Sequence, residues 1–155
     1  MPTTHKGSTD ATALRFAIVV ARFNSVVTER LLQGAVKALS ENGAADASIE
    51  VVHVPGAFEI PLAAAQLVAA ARFDAIICLG AVVRGETQHH EYINHAVFGA
   101  LQKLQVETRV PIALGVLTTE NMEQALRRAG DDPGNKGYES ALTAIEMVHV
   151  MRLIK

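Results

Sequence analysis

GAVVRGETQHHEY, residues Gly80–Tyr92, decides how this chain is read. It follows an apolar run, Phe73 to Leu79 (FDAIICL), that reads as a buried strand, and it leads into helical spacing that begins near Thr87. Gly80 and Gly85 bracket the crossover. A strand that turns directly into a helix leaves the first N–H groups of that helix unpaired above the strand end, where they attract anions. His89 and His90 fall within the first turn, so an imidazole stands beside the anion site. The pattern points to chemistry on a phosphorylated molecule.

Outward from this stretch, strand and helix alternate. Phe16–Ala21 (FAIVVA) is a short continuous apolar run, as a strand covered on both faces would be. Asn24 or Ser25 can cap the next helix, which Asn42-Gly43 ends. Ile49–Val54 is a second strand, stopped by Pro55-Gly56, and an alanine-rich helix runs from about Phe58 to Arg72, starting near Ile60 because Pro61 suits only a first turn. A third helix covers about Thr87 to Val106, a fourth strand Pro111 to Leu117, a short helix opens at Thr118-Thr119-Glu120 and ends at Gly130, and a last helix runs from about Tyr138 to Leu153. Such alternation predicts an α/β fold, a three-layer αβα sandwich on a four-stranded parallel sheet with right-handed crossovers. Ligands of such sheets bind beyond the carboxyl ends of the strands.

The composition narrows the function. With 155 residues and half of them hydrophobic, one domain with a substantial core is expected, over residues 15–155. The segment 1–14 is rich in Thr, Ser and small residues and reads as a flexible arm. A net charge of −2 recommends neither nucleic acid nor an anionic membrane as partner. The single cysteine, Cys78, lies in an apolar run and fits a reducing compartment. No apolar stretch nears the ~20 residues that span a bilayer, and the N-terminus lacks an apolar signal core, so a cytoplasmic location is expected.

Spacing bears on several chemistries. Gly80–Thr87 resembles the phosphate loop G-x-x-x-x-G-K-[ST], but Glu86 replaces the lysine that draws β/γ-phosphates, which argues against a nucleotidase and leaves a backbone phosphate site open. His90-Glu91 with His95 is one residue too long for H-E-x-x-H. Positions five apart on a helix differ by ~140° and do not share a metal face, so no metal is expected. His89 shares a stripe with Ile93 and Val97, which directs its ring to the packed side and the strand ends; it is either a hydrogen-bonded half-buried histidine or a general acid/base. Phe23, directly after a strand, is either cover for the core or a platform for a ring; Glu59 is a solvated acid or an acceptor for ligand hydroxyls. Arg128 and Lys136 read on their own as lone cations, and no G-x-G-x-x-G suggests a dinucleotide.

The segments ARFN (21–24), PGAFEIP (55–61), RGET (84–87) with His89, GVLTTE (115–120), QALRRAG (124–130) and GNKG (134–137) together resemble the 6,7-dimethyl-8-ribityllumazine synthase family, from about residue 15 to the C-terminus. The resemblance implies a flavodoxin-like fold. It implies a transferase of riboflavin biosynthesis that condenses 5-amino-6-(D-ribitylamino)uracil with 3,4-dihydroxy-2-butanone 4-phosphate, with no cofactor. Phe23 would stack on the pyrimidine. Asn24, Ala57, Phe58 and Glu59 would hold the uracil and ribityl side, and Val82, Val83 and Leu114 would line the ring. Gly85, Glu86 and Thr87 would take the phosphate, joined by Arg128 from an adjacent subunit, with Lys136 near the pocket and His89 shuttling protons. Leu114 departs from the aromatic residue common there, and Asp131-Asp132 from a more basic segment. The resemblance also implies a pentamer, with a sixty-subunit icosahedral shell favoured by the short turn before Gly137. The N-terminal arm would add to a neighbour's sheet, and riboflavin synthase is a candidate partner. A flavin- or pterin-binding carrier and a structural shell protein are the alternatives. Retention of His89 and Arg128 argues against a carrier.

Overall fold

The computed structural model describes residues 1–154. Nine elements follow one another: β1 (Phe16–Ala21), α1 (Ser25–Glu41), β2 (Ile49–Val54), α2 (Ile60–Ala69), β3 (Ala75–Val83), α3 (His89–Thr108), β4 (Ile112–Thr119), α4 (Met122–Arg127) and α5 (Lys136–Leu153). The four strands form one parallel sheet in the order β2-β1-β3-β4. Alternation along each strand builds two cores. Phe16, Ile18, Val20, Ile77 and Leu79 meet α1 and α5 on one face. Ala17, Val19, Ala21, Ile76 and Cys78 meet α2 and α3 on the other. The result is the αβα sandwich, and the full burial of β1 explains why it reads as unbroken apolar sequence.

β1, β2 and the α1 stop fall where the sequence places them, and Gly43 ends α1 with φ +106°, a conformation that favours glycine. Other boundaries move. β3 begins at Ala75 and continues through Gly80 to Val83, because Gly80 through Val83 pair with Val116 through Thr119 of β4. Gly80 therefore lies within the strand, and the crossover shrinks to residues 84–88. α2 stops at Ala69, three residues early, followed by a turn with Ala71 at φ 57°. Thr118 and Thr119 finish β4 rather than open a helix, and α4 is capped instead by Asn121, whose side chain accepts from Gln124 N. Asn24 precedes α1 in the left-handed region and makes no side-chain cap.

α5 starts at Lys136, earlier than its apolar pattern suggests, because Asn135 caps it by accepting from Tyr138 N. The same buried amide donates to Arg30 O (3.2 Å) and Gly130 O (2.9 Å), fastening α1, the preceding loop and α5 together. Gly137 lies against α1: a Cβ there would sit 2.0 Å from Leu31 O. Residues 1–14 contain no helix or strand, yet Ala11 and Leu14 are buried, and Ala11 N donates to Asn42 O (2.8 Å).

Candidate active site

The chain reverses direction across the sheet at β1, with β2 on one side and β3 on the other, and the helices leave to opposite faces. This is the switch point at which open α/β sheets form a crevice. A cavity of about 540 Å³ occupies it, within the range of small-molecule sites.

Its first wall comes from the ends of β1 and β2. Arg22 N donates to Val54 O (2.8 Å) and Phe23 N to Pro55 O (3.0 Å), so the two strands stay paired past their last residues. Phe23 is thereby set beside Pro55-Gly56 with its ring 70% exposed at the mouth, a large cost in apolar exposure for a ring that only covered the core. Ala57–Glu59 makes one 3₁₀ turn before α2, placing Phe58 at the mouth and half-burying Glu59, whose Oε1 would lie 3.3 Å from a Cβ at Gly56. Asn24 does not line the cavity. Its Nδ2 donates to Ala81 O (2.8 Å) and braces the exit of β1 against β3.

The second wall is the end of β3 and the start of α3. Ala81, Val82 and Val83 line it, which the extension of the strand makes possible. Beyond them Arg84 N still bonds to Thr119 O (2.9 Å), and the Arg84 side chain pairs with Glu120 at 2.9 Å. Both members are more than half exposed, so the pair adds only about 0–1 kcal/mol. Nothing stands within 4 Å of a Cβ built at Gly85, so this glycine leaves open space above the turn for a ligand rather than relieving a clash. Glu86 is exposed and outside the lining.

Thr87 Oγ1 accepts from His89 N (3.3 Å), which leaves the hydroxyl hydrogen free to donate. Ile93 and Val97 of its stripe pack progressively deeper, while His89 itself is exposed and lines the cavity at the strand end beside Ala81, Val82 and Val83. His90, which the sequence sets with His89 in the first turn, and Ile93 also line it, although the family resemblance names neither. Adjacent helical positions lie ~100° apart, so spacing that places one histidine on a pocket argues against its neighbour; the wide mouth admits both.

The remaining predicted residues lie elsewhere. Leu114 sits on the edge strand β4, 37% exposed, and with Phe98, Arg128 and Lys136 it lines a second cavity of about 450 Å³. Arg128 O accepts from Lys136 N (2.8 Å), which couples the two cations through the backbone. Arg128 is exposed and forms no ion pair among the described residues, while Lys136 Nζ is 3.8 Å from Glu139 Oε2. Asp132 Oδ1 accepts from Gly134 N (2.7 Å), so the acidic departure in this loop shapes a turn. One chain therefore carries an acid and two imidazoles in the first cavity and the cations Arg128 and Lys136 at the second.

Among the described residues no three His, Cys, Asp or Glu side chains are grouped to hold a metal ion. Cys78 is no nucleophile: burial pushes its thiol up to about 12.

A family described as 6,7-dimethyl-8-ribityllumazine synthase matches residues 13–152. The chain is 50% identical over 154 residues to a 6,7-dimethyl-8-ribityllumazine synthase of Syntrophus aciditrophicus (strain SB), covering 99% of this chain and 100% of that protein. The matched span holds both cavities and every element of the sheet. This chain belongs to the 6,7-dimethyl-8-ribityllumazine synthase family.

Proposed function

We propose that the first cavity is where this chain condenses 5-amino-6-(D-ribitylamino)uracil with 3,4-dihydroxy-2-butanone 4-phosphate, releasing phosphate and water in the penultimate step of riboflavin biosynthesis. The observation that carries the assignment of residues is the meeting of Phe23, Ala57, Glu59, Val82, Val83, Gly85, Thr87 and His89 around one crevice at the switch point. Phe23 offers the flat face for the pyrimidine, and Ala57, Phe58 and Glu59 the polar and backbone groups for the ribityl side. Asn24 acts through the strut to Ala81. The turn at 85–87 receives the phosphate with its N–H groups and the Thr87 hydroxyl. His89 takes the proton from carbon beside the imine formed by amine attack and returns protons as phosphate and water leave. Holding two substrates in one crevice supplies much of the remaining gain.

The first cavity has no lysine or arginine in its lining, whereas Arg128 and Lys136 flank a second cavity on the sheet edge. We infer that these cations and Leu114 complete the site of a neighbouring subunit in a pentamer, with sixty-subunit shells as the larger assembly. Glu86, outside the lining, contributes through its backbone. The exposed residues 1–6 are free to add to a neighbour's sheet. Riboflavin synthase, which consumes the product, is the proposed protein partner, and a buried free thiol supports a cytoplasmic location. No helix among the described residues is long and apolar enough to cross a membrane.

Mixing the two substrates with the protein tests the activity. Fluorescent lumazine should form well above the uncatalysed background, and background alone would leave a carrier or a shell protein.

A further inference from the structure

We propose that His90 is a positioning residue for the phosphate, a strut that holds the 85–87 turn through the Thr87 carbonyl. The proposal rests on the phosphate reading of that turn. His90 Nδ1 lies 3.2 Å from Thr87 O. A carbonyl oxygen only accepts, so Nδ1 carries the hydrogen and donates. Thr87 lies one residue before the N-cap Gln88, whose own carbonyl takes the first helical bond from Glu91 N (3.0 Å). The Thr87 carbonyl is thus out of reach of the α3 ladder, and the imidazole supplies the donor that the helix does not. Thr87 is then pinned twice, at its carbonyl by the His90 ring and at Oγ1 by His89 N (3.3 Å), and its hydroxyl hydrogen is left to turn toward a ligand oxygen.

The ring's other nitrogen has a second use. With Nδ1 engaged, Nε2 is the free atom of a half-buried ring that lines the cavity. The two imidazoles are the only side chains in that lining able to become cationic. A strut made of imidazole therefore orders the turn and, when the ring carries its second proton, presents an Nε2–H donor to the anion.

Two variants separate the hydrogen bond from the bulk of the ring. In His90→Asn the side-chain NH₂ reaches the place of Nδ1, whereas His90→Leu fills space without a donor. The readouts are calorimetric affinity for inorganic phosphate and the steady-state KM of each substrate. His90→Leu should weaken inorganic phosphate and raise the KM of the phosphorylated substrate roughly three- to tenfold, the range of one neutral hydrogen bond. The KM of the uracil should move much less, and His90→Asn should recover most of the loss. Equal losses in both variants, equal effects on both substrates, or no phosphate binding by the parent protein would overturn the strut. The two readings also fail separately. Lumazine formation with phosphate affinity indifferent to His90→Leu removes the strut alone. Phosphate affinity that follows residue 90 in a protein making no lumazine removes the condensation alone.

Discussion

His89 is one imidazole on the first turn of a helix, and its work follows from where that turn opens. His89→Ala should lower kcat by at least about 10²-fold, the lower end of general acid/base catalysis, with little change in the KM of either substrate. Stopped-flow fluorescence of product formation reads both, and an unchanged rate would remove the proton-shuttle role. Cys78 supplies a second prediction. Its thiol, raised by burial from 9.0 to about 12, stays protonated in the folded chain while the unfolded chain loses that proton near pH 9. Folding stability should therefore fall by about 1.4 kcal/mol per pH unit from this residue between pH 9 and 12, and Cys78→Ala should flatten that slope in urea titrations. At this scale the sequence was informative where chemistry is unusual, as with paired histidines after a glycine turn. It was less so where a polar side chain serves the backbone. Asn24 and Asn135 both stand in motifs of the family. Yet the first braces β1 against β3 and the second holds three segments together, and neither bond has a local sequence signal because its partners are 57 and 105 residues away.

Elements were legible wherever the apolar pattern was continuous. β1 is buried at every position and β2 is stopped by Pro55-Gly56, and the structure returns both residue for residue. β3 runs past the glycine that reads in sequence as punctuation, because Gly80 is an ordinary ladder residue held by its pairing with Val116. For the same reason the crossover at residues 84–88 looks in the sequence like a longer glycine loop. α5 was started late for a related reason: Lys136 and Gly137 look like loop, and only the Asn135 cap and the contact with α1 make them helix. This contact yields a prediction. Gly137→Ala places a methyl 2.0 Å from the Leu31 carbonyl oxygen and 2.9 Å from Leu31 Cα, atoms of a buried helix backbone. The helices must separate, and the loss should be on the order of 3 kcal/mol, seen as a lower Tm. Gly85→Ala meets nothing within 4 Å and should leave the Tm nearly unchanged while weakening phosphate affinity, because the methyl occupies the space above the turn.

For the whole molecule, the parallel sheet was legible from alternation, and the strand order was not: which edge β3 joins is decided by which helix covers which face. The order matters because it sends β4, with Leu114, Arg128 and Lys136, to the far edge from the β2 side of the crevice. If sites are shared between copies, His89→Ala and Arg128→Ala chains are each defective in a different half of one site. Co-assembled from denaturant, they should regain activity, since some interfaces receive both intact residues. Activity no higher than the sum of the separate variants would place both residues in one chain's site. Sedimentation of the parent protein should show a pentamer or shell, and a monomer that is active would overturn the sharing. At the mouth of the crevice Phe23 and Phe58 are each more than 60% exposed, as are Leu62 on α2 and Tyr92 on α3. A lone chain would carry this greasy rim into water, where it is an adhesive toward any other unfinished surface. If copies assemble as proposed, the yield of newly made protein should depend on how quickly they find one another.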